Sequence, residues 1–394
     1  MQPSSFSADR KGRVFTAHLG GKLETRSKIP LNSPEVLRLI YTPGVAEVCR
    51  HLKAHPEDGL KYTWLGSTVA VVTNGTAVLS LGNIGPLASL PVMEAKAMLF
   101  KELAGLNAVP ILIQTREAGT FADTVEQMAP SFGAIMLEDI EAPACFAIER
   151  ELQKRLTIPV LHADQHATAV VVLAAIMKVA SLLQKPHPQL KVLIHGAGPA
   201  GLAIARLLHA WGIRELLLCQ ADGILWPGKK TAEDPIHSDV AAFTNLRQES
   251  GRLEELLPGR DVLISTSGDL RLGQNAIRSM ARKAVILALS NPQPIVAPQE
   301  ALTAGCAFAL DGTSLNNALA FPGLFKGALE ARASHFDEEM LLEAAKAIAQ
   351  AAPPGQLVPD QLDRKLHRKV ARAVAKAVLG SRQEMADCGE RLHD

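Results

Sequence analysis

The sequence predicts an α/β protein of two domains. Three observations carry that reading. Short apolar, β-rich runs alternate with helical patterns along most of the chain, which is the signature of a mostly parallel sheet covered by helices. The chain has 394 residues, more than one ordinary domain of about 100–200 residues holds. A single glycine-rich turn lies midway, between a strand run and a helix run.

The elements follow in order. The first ~25 residues are polar and irregular, as expected of an arm or short helix that packs late or on another subunit. Strands are predicted at 69–73, 109–113, 134–137 and 158–161, with helices at 91–103 and 143–156 between them. A long apolar helix covers 167–184, and two prolines in 185–189 end it. A second series of strands then reads at 192–195, 216–219, 262–265, 285–289 and 307–310. The last long helix is expected at 359–379, with Leu362, Leu366, Val370, Val374 and Val378 as its buried stripe. Arg364, Lys365, Arg368, Lys369, Arg372 and Lys376 then make a solvated basic face.

Composition excludes several functions. Hydrophobic residues are 47% and charged residues 21%, the balance of a packed chain rather than a disordered one. Lys plus Arg total 41 against 40 for Asp plus Glu, so no charge excess invites nucleic acid or an anionic membrane. Aromatics are 4%, with two tyrosines, Tyr41 and Tyr62, too few for a base-stacking surface. The five cysteines are scattered and form no CxxC pair, which argues against a thiolate zinc site or a disulfide framework and for a reducing compartment. The N-terminus lacks the apolar core of a secretory signal. The most apolar stretch, 167–177, stops at Lys178 and is too short to span a bilayer, so it reads as a buried helix. These features describe a soluble cytoplasmic protein.

The turn Gly196-Ala197-Gly198-Pro199-Ala200-Gly201 follows the strand at 192–195 and opens a helix at 202–209. In that context GxGxxG is a dinucleotide fingerprint. The first glycine makes the turn, the second admits a pyrophosphate, and the third lets helix and strand pack closely. The acid expected at the end of the next strand is replaced by Gln220, with Asp222 two residues late and Lys229 and Lys230 beyond. The cofactor therefore stays open between NAD and NADP. Glu138 and Asp139 close the strand at 134–137, and Asp164 follows the strand at 158–161. Three such oxygen donors at one sheet edge suit Mg²⁺ or Mn²⁺. The competing reading is that they cap helices, Asp139 in particular. His162 and His166 beside Asp164 do not make a zinc site without a third ligand.

These motifs coincide with a known family. The chain resembles the short bacterial form of malic enzyme, from about residue 20 to 379. The resemblance rests on IYTPGVAEVCR (40–50), the block 69–105 containing MEAK, LEDIEAPACF (137–146), HADQHATA (162–169), HGAGPAG (195–201), ALSNPQP (288–294) and LNNALAFPG (315–323). It implies an N-terminal α/β malic-enzyme domain, about 1–160, and a Rossmann-type doubly wound NAD(P)-binding domain, about 161–394, whose terminal helix returns across the first. It implies oxidative decarboxylation of L-malate to pyruvate and CO₂ in the cleft between them. By resemblance, Lys96 is the general base and Tyr41 the general acid. Glu138, Asp139 and Asp164 hold the metal. Asn291 contacts substrate or nicotinamide, Asn317 or Asn316 contacts the malate carboxylate, and Thr168 lies near the cofactor. A homodimer or larger homo-oligomer, with the N-terminal arm in its interface, is also implied.

Several family positions differ here. The first Asp of HDDQ, which in the family assists the base lysine, is Ala163. Asn74 replaces an aspartate; Ser80, Ala95 and Ala167 replace glycines; the 267–273 turn also differs. Ala163 alone motivates an alternative, a dehydrogenase for another 2-hydroxy acid. Ala163 with Asn74 motivates a second, a weakly active binding or regulatory homologue.

Overall fold

The computed structural model describes residues 6–78, 80–220, 223–226, 235–268, 270–290 and 293–391. Two parallel sheets form in it. The first contains β1 (Thr68–Thr73), β2 (Asn107–Leu112), β3 (Ala134–Leu137) and β4 (Val160–His162) in the order β2-β1-β3-β4. The second contains β5 (Lys191–His195), β6 (Glu215–Gln220), β7 (Gly223–Ile224), β8 (Val262–Ser265), β9 (Val285–Ala288) and β10 (Phe308–Asp311) in the order β10-β9-β8-β5-β6-β7. Only the two-residue β7 runs antiparallel, as a hairpin on β6. Strands such as β1 are buried on both faces, which is why they read as unbroken apolar runs rather than alternating ones.

Each sheet has a point where neighbouring strands depart in opposite directions. In the second it lies between β5 and β8, and the glycine turn leaves β5 there. Ligands of open α/β sheets bind at such points, outside the C-terminal strand ends. In the first sheet it lies between β1 and β3. Asn74 follows the end of β1 and Glu138 the end of β3.

The apolar helix is Thr168–Leu183. The segment Ala163–Leu183 is long and apolar enough to cross a membrane. Here it is a core helix, packed between Pro199–Trp211 and Glu338–Ala351, with Val170 to Ile176 fully buried. The helix carrying Lys96 starts earlier than expected, at Gly85–Leu99, and runs on into a π turn, Phe100–Ala104. Two prolines explain the difference: Pro86 occupies the first turn, where its missing N–H is harmless, and Pro91 is tolerated inside.

The last helix is Arg364–Arg391. Leu362 is 66% exposed and lies before it, so its expected place in the buried stripe is wrong. The Asp363 carboxylate accepts from Lys365 N at 2.8 Å and that of Asp360 from Leu362 N at 2.9 Å, a polar turn that delays the helix. Leu366, Val370, Val374 and Val378 are buried, and the six basic residues are exposed. The helix packs on Phe321–Glu330 through Gly323 and Gly327, where an added Cβ would lie 2.7 Å from Val370 Cβ and 2.4 Å from Ala371 O respectively. That pair of helices meets the first domain: Phe100 packs edge-on against Phe321 and Phe325 at 4.8 and 5.4 Å, and Arg364 lies 2.5 Å from Glu102.

Gly327→Leu forces the two helices apart and lowers stability by ~1–3 kcal/mol or more, read as a shifted urea midpoint; an unchanged midpoint contradicts this packing. His367 is buried, and burial pushes its pKa below the ordinary value while its Nε2–H donates to Gln361 O at 3.0 Å. The unfolded chain then binds a proton near pH ~6.5 that the folded chain resists. Stability falls as pH drops below that value, and His367→Gln reduces the slope of midpoint against pH; an unaltered slope contradicts the burial argument.

Candidate active site

The C-terminal ends of β3 and β4 bring three acids together. Glu138 leaves β3 directly, and its N–H still donates to Val72 O at 3.0 Å. Asp139 takes a left-handed conformation, φ 53°, which turns the chain sharply. Asp164 lies in a π turn, Ala163–Ala167, that joins β4 to the apolar helix. Oxygens of Glu138, Asp139 and Asp164 lie within 4.8 Å of one another. Asp164 also accepts from the Asp139 N–H at 3.0 Å. Asp139 does not cap the following helix, whose N-cap is Pro143.

Lys96 reaches this cluster from its helix. Nζ lies 3.0 Å from Glu138 Oε1 and donates to Asn317 Oδ1 at 2.8 Å, with the Phe321 ring 4.9 Å away. Asn317 comes from the second domain, so this contact closes the cleft across 221 residues of sequence. Asn316 faces elsewhere and caps its own turn by accepting from Ala318 N. Burial pulls the Lys96 pKa down, but the carboxylates of Glu138 and Asp164 outweigh it and hold the ammonium form above the ordinary lysine value. Burial and the neighbouring Asp164 push the Glu138 carboxyl well above its usual range, against the pull of Lys96.

Three converging acids and one lysine leave an excess of negative charge in a buried place. Glu138 Oε2 is buried with no hydrogen-bond partner. An orphaned carboxylate oxygen at such a place fits a hard divalent cation that takes oxygen ligands. The donor set, oxygen only, suits Mg²⁺ or Mn²⁺ better than a thiolate-seeking metal.

The glycine turn is built for a dinucleotide. Gly196 has φ 108°, and a Cβ there would meet Thr266 Oγ1 at 2.4 Å. A Cβ on Gly201 would lie 1.8 Å from Gly196 O. Nothing stands within 4 Å of a Cβ on Gly198, the open side that a pyrophosphate needs. Gly198 is the N-cap of the helix Pro199–Trp211, so Pro199, Ala200 and Gly201 form its first turn. Thr266, on the loop after β8, donates toward Gly196 O at 3.2 Å and His237 Nε2–H donates to Ala197 O at 3.1 Å. Neither was legible, because each lies far along the chain from the turn it supports.

Other expected residues are spread more widely. Thr168 opens the apolar helix, partly exposed, and Gln220 ends β6, partly exposed. Asn291, Asp222, Lys229 and Lys230 lie outside the described residues. Tyr41 caps the helix Pro34–Ile40 and is 64% exposed. Among the described residues no hydrogen bond, ion pair or ring contact joins it to the Lys96 cluster. Ala163 is fully buried. Asn74 uses both ends of its amide: Nδ2 donates to Thr115 O at 3.1 Å, and Oδ1 accepts from Thr76 Oγ1 at 2.6 Å. Thr76 Oγ1 in turn accepts from Glu141 N at 2.9 Å, so Asn74 braces the Glu138–Asp139 turn. An aspartate could not donate to Thr115. Ser80 carries a positive φ of 68°, a conformation that a glycine adopts without strain.

Two family descriptions match the chain: "Malic enzyme, N-terminal domain" over residues 20–120 and "Malic enzyme, NAD binding domain" over residues 297–381. The chain is 43% identical over 345 residues to the bifunctional malic/malolactic enzyme of Bacillus subtilis (strain 168), covering 86% of this chain and 84% of that protein. It superposes on the crystal structure of NAD-dependent malic enzyme from Thermotoga maritima with TM-score 0.86 and 40% identity, covering 95% and 99% of the two chains. Malic enzyme from Pyrococcus horikoshii Ot3 gives TM-score 0.90 and 37% identity over 94% and 91%. The chain belongs to the malic enzyme family, as a two-domain NAD(P)-dependent oxidoreductase with oxidative decarboxylation chemistry and a candidate divalent-metal triad.

Proposed function

We propose that this chain converts L-malate, with NAD or NADP, to pyruvate, CO₂ and the reduced cofactor, and that Lys96 is its general base. The single observation that carries the assignment of Lys96 is its place: Nζ contacts Glu138 of the triad and Asn317 of the second domain at once. A malate hydroxyl in that cleft lies within reach of Nζ, which takes its proton as C2 gives up hydride. A cation held by those carboxylates would offset the charge that keeps Lys96 protonated, and burial then favours the neutral amine a base requires. Glu138, Asp139 and Asp164 would hold Mg²⁺ or Mn²⁺, which supplies charge stabilisation for the oxygen at C2. Asn317 orients the substrate carboxylate beside Lys96, and Asn291 contacts substrate or nicotinamide. The Gly196–Gly201 turn, with Thr168 and Gln220 as further contacts, would hold the dinucleotide, which would supply the hydride acceptor.

Tyr41 is proposed as the acid that protonates C3 after CO₂ leaves. Exposed Leu37, Leu39, Ile40, Val45 and Val48 neighbour it in sequence. That run of exposed apolar side chains supports a homodimer or larger homo-oligomer with the N-terminal segment in its interface. The division between the domains is placed near residue 160, at the strand Val160–His162 that closes the first sheet. A cytoplasmic location is part of the proposal, supported by the buried, well-separated thiols Cys145 and Cys306.

Incubation with L-malate and Mn²⁺ is expected to yield pyruvate and reduced cofactor in equal amounts. Running it with NAD and with NADP gives the preference. Reduced cofactor without pyruvate would instead mark a dehydrogenase that does not decarboxylate. Lys96→Ala and Tyr41→Phe each lower kcat by about 10²–10⁴-fold; unchanged turnover in either removes that residue from the mechanism. Gly201→Ala places a methyl against backbone that has no room for it, and NAD(P)H affinity, read by fluorescence, drops by about tenfold or more. Equal affinity would contradict the assignment of the turn.

A further inference from the structure

One buried carboxylate has no part in the chemistry above. Glu149 lies on the helix Ala144–Arg155, on the same face as the buried Cys145, Ile148 and Leu152. Its side chain is 8% exposed. Oε1 accepts from the His162 N–H at 2.7 Å. Oε2 accepts from Gln165 Nε2 at 3.2 Å and from His166 Nε2 at 3.0 Å. Burial would raise its pKa, but the His166 ring and the His162 N–H outweigh that and keep it below the ordinary carboxylate value.

The placement of these three donors is informative. His162 immediately precedes the turn Ala163–Ala167, and Gln165 and His166 lie inside it. Asp164 sits between the points that Glu149 holds. One carboxylate therefore pins the turn on both sides of a triad member while bonding to none of the three acids itself. The far side of the Glu149–His166 pair is not packed solid. It faces a cavity of about 540 Å³ lined by residues including Phe146, Arg150, Ala203, Arg206, Phe336 and Leu341. On that side hydrogen bonds, rather than close packing, fix where the turn stands.

We propose that Glu149 is a positioning residue for the triad: it fixes the turn that carries Asp164 and so sets the affinity for a divalent cation that it does not touch. This rests on Glu138, Asp139 and Asp164 being the metal site. Residues that orient ligands from behind typically change metal affinity by about 10–100-fold when removed.

The test is Mn²⁺ titration of the full chain by electron paramagnetic resonance, with NAD(P)H binding and melting temperature measured alongside. Wild type must bind Mn²⁺; if it does not, the triad reading itself fails and this proposal with it. Given that binding, Glu149→Ala is expected to raise the Mn²⁺ Kd about 10–100-fold with NAD(P)H affinity unchanged. Glu149→Gln keeps one acceptor for the His162 N–H and restores part of the loss. His166→Asn removes one bond of three at a site open to the cavity, and gives a smaller rise even if Glu149→Ala does not fold. A Kd within twofold of wild type in every folded variant overturns the proposal, as does an equal loss of Mn²⁺ and NAD(P)H affinity, which marks general loosening.

Discussion

The site depends on one buried ion pair, Lys96 with Glu138. Two charges taken from water are stabilised only when geometry and further hydrogen bonds compensate the desolvation, and a lone buried charge is far worse than a pair. Here the pair is unbalanced by design of the strand ends: Asp139 and Asp164 add negative charge that one ammonium cannot neutralise. Burial and the neighbouring Asp164 push the Glu138 carboxyl up, while the acids together hold Lys96 charged. Structure and function meet in that imbalance. The same acids that keep Lys96 protonated are those a divalent cation would neutralise, which ties the appearance of a base to the loading of the site.

That pair in turn needs two domains to hold still. Lys96 belongs to the first domain and Asn317 to the second, and the 2.8 Å bond between them has no tolerance for sliding. Aromatic packing supplies the rigidity. Phe100, one turn beyond Lys96, lies against Phe321 and Phe325, four and eight residues beyond Asn317. The close glycine contacts of Gly323 and Gly327 let the terminal helix back this contact. The terminal helix, which carries none of the proposed reacting groups, thus helps to place Lys96. Its length, 28 residues, corresponds to about 42 Å of helix by the rise per residue.

Much of this was legible. Alternation of strand and helix runs located nine of the strands among the described residues to within two residues, because most of them are buried on both faces and leave unbroken apolar runs. The Gly196–Gly201 turn was legible because each glycine meets a separate steric demand. Leu362 misled because periodicity does not register the Asp360 and Asp363 side chains that hold the chain out of the helix. Lys96 and Tyr41 carried no signal of their own; only the family resemblance singled them out, and the structure gathers Lys96 with the acids while Tyr41 stands exposed on another face. Glu149 did leave a trace, a carboxylate in the apolar stripe of its helix, but its partners come from the next strand and turn and no local pattern reveals them. Asn74 read as a lost charge, whereas its amide makes three hydrogen bonds that brace the Glu138–Asp139 turn.

The most direct measurement is the position of bound Mn²⁺ in a crystal of the full chain, located by anomalous scattering. The account predicts one strong peak bounded by the carboxylates of Glu138, Asp139 and Asp164, on the side of the unpartnered Glu138 Oε2. A strong peak elsewhere, with none among those three acids, would contradict it.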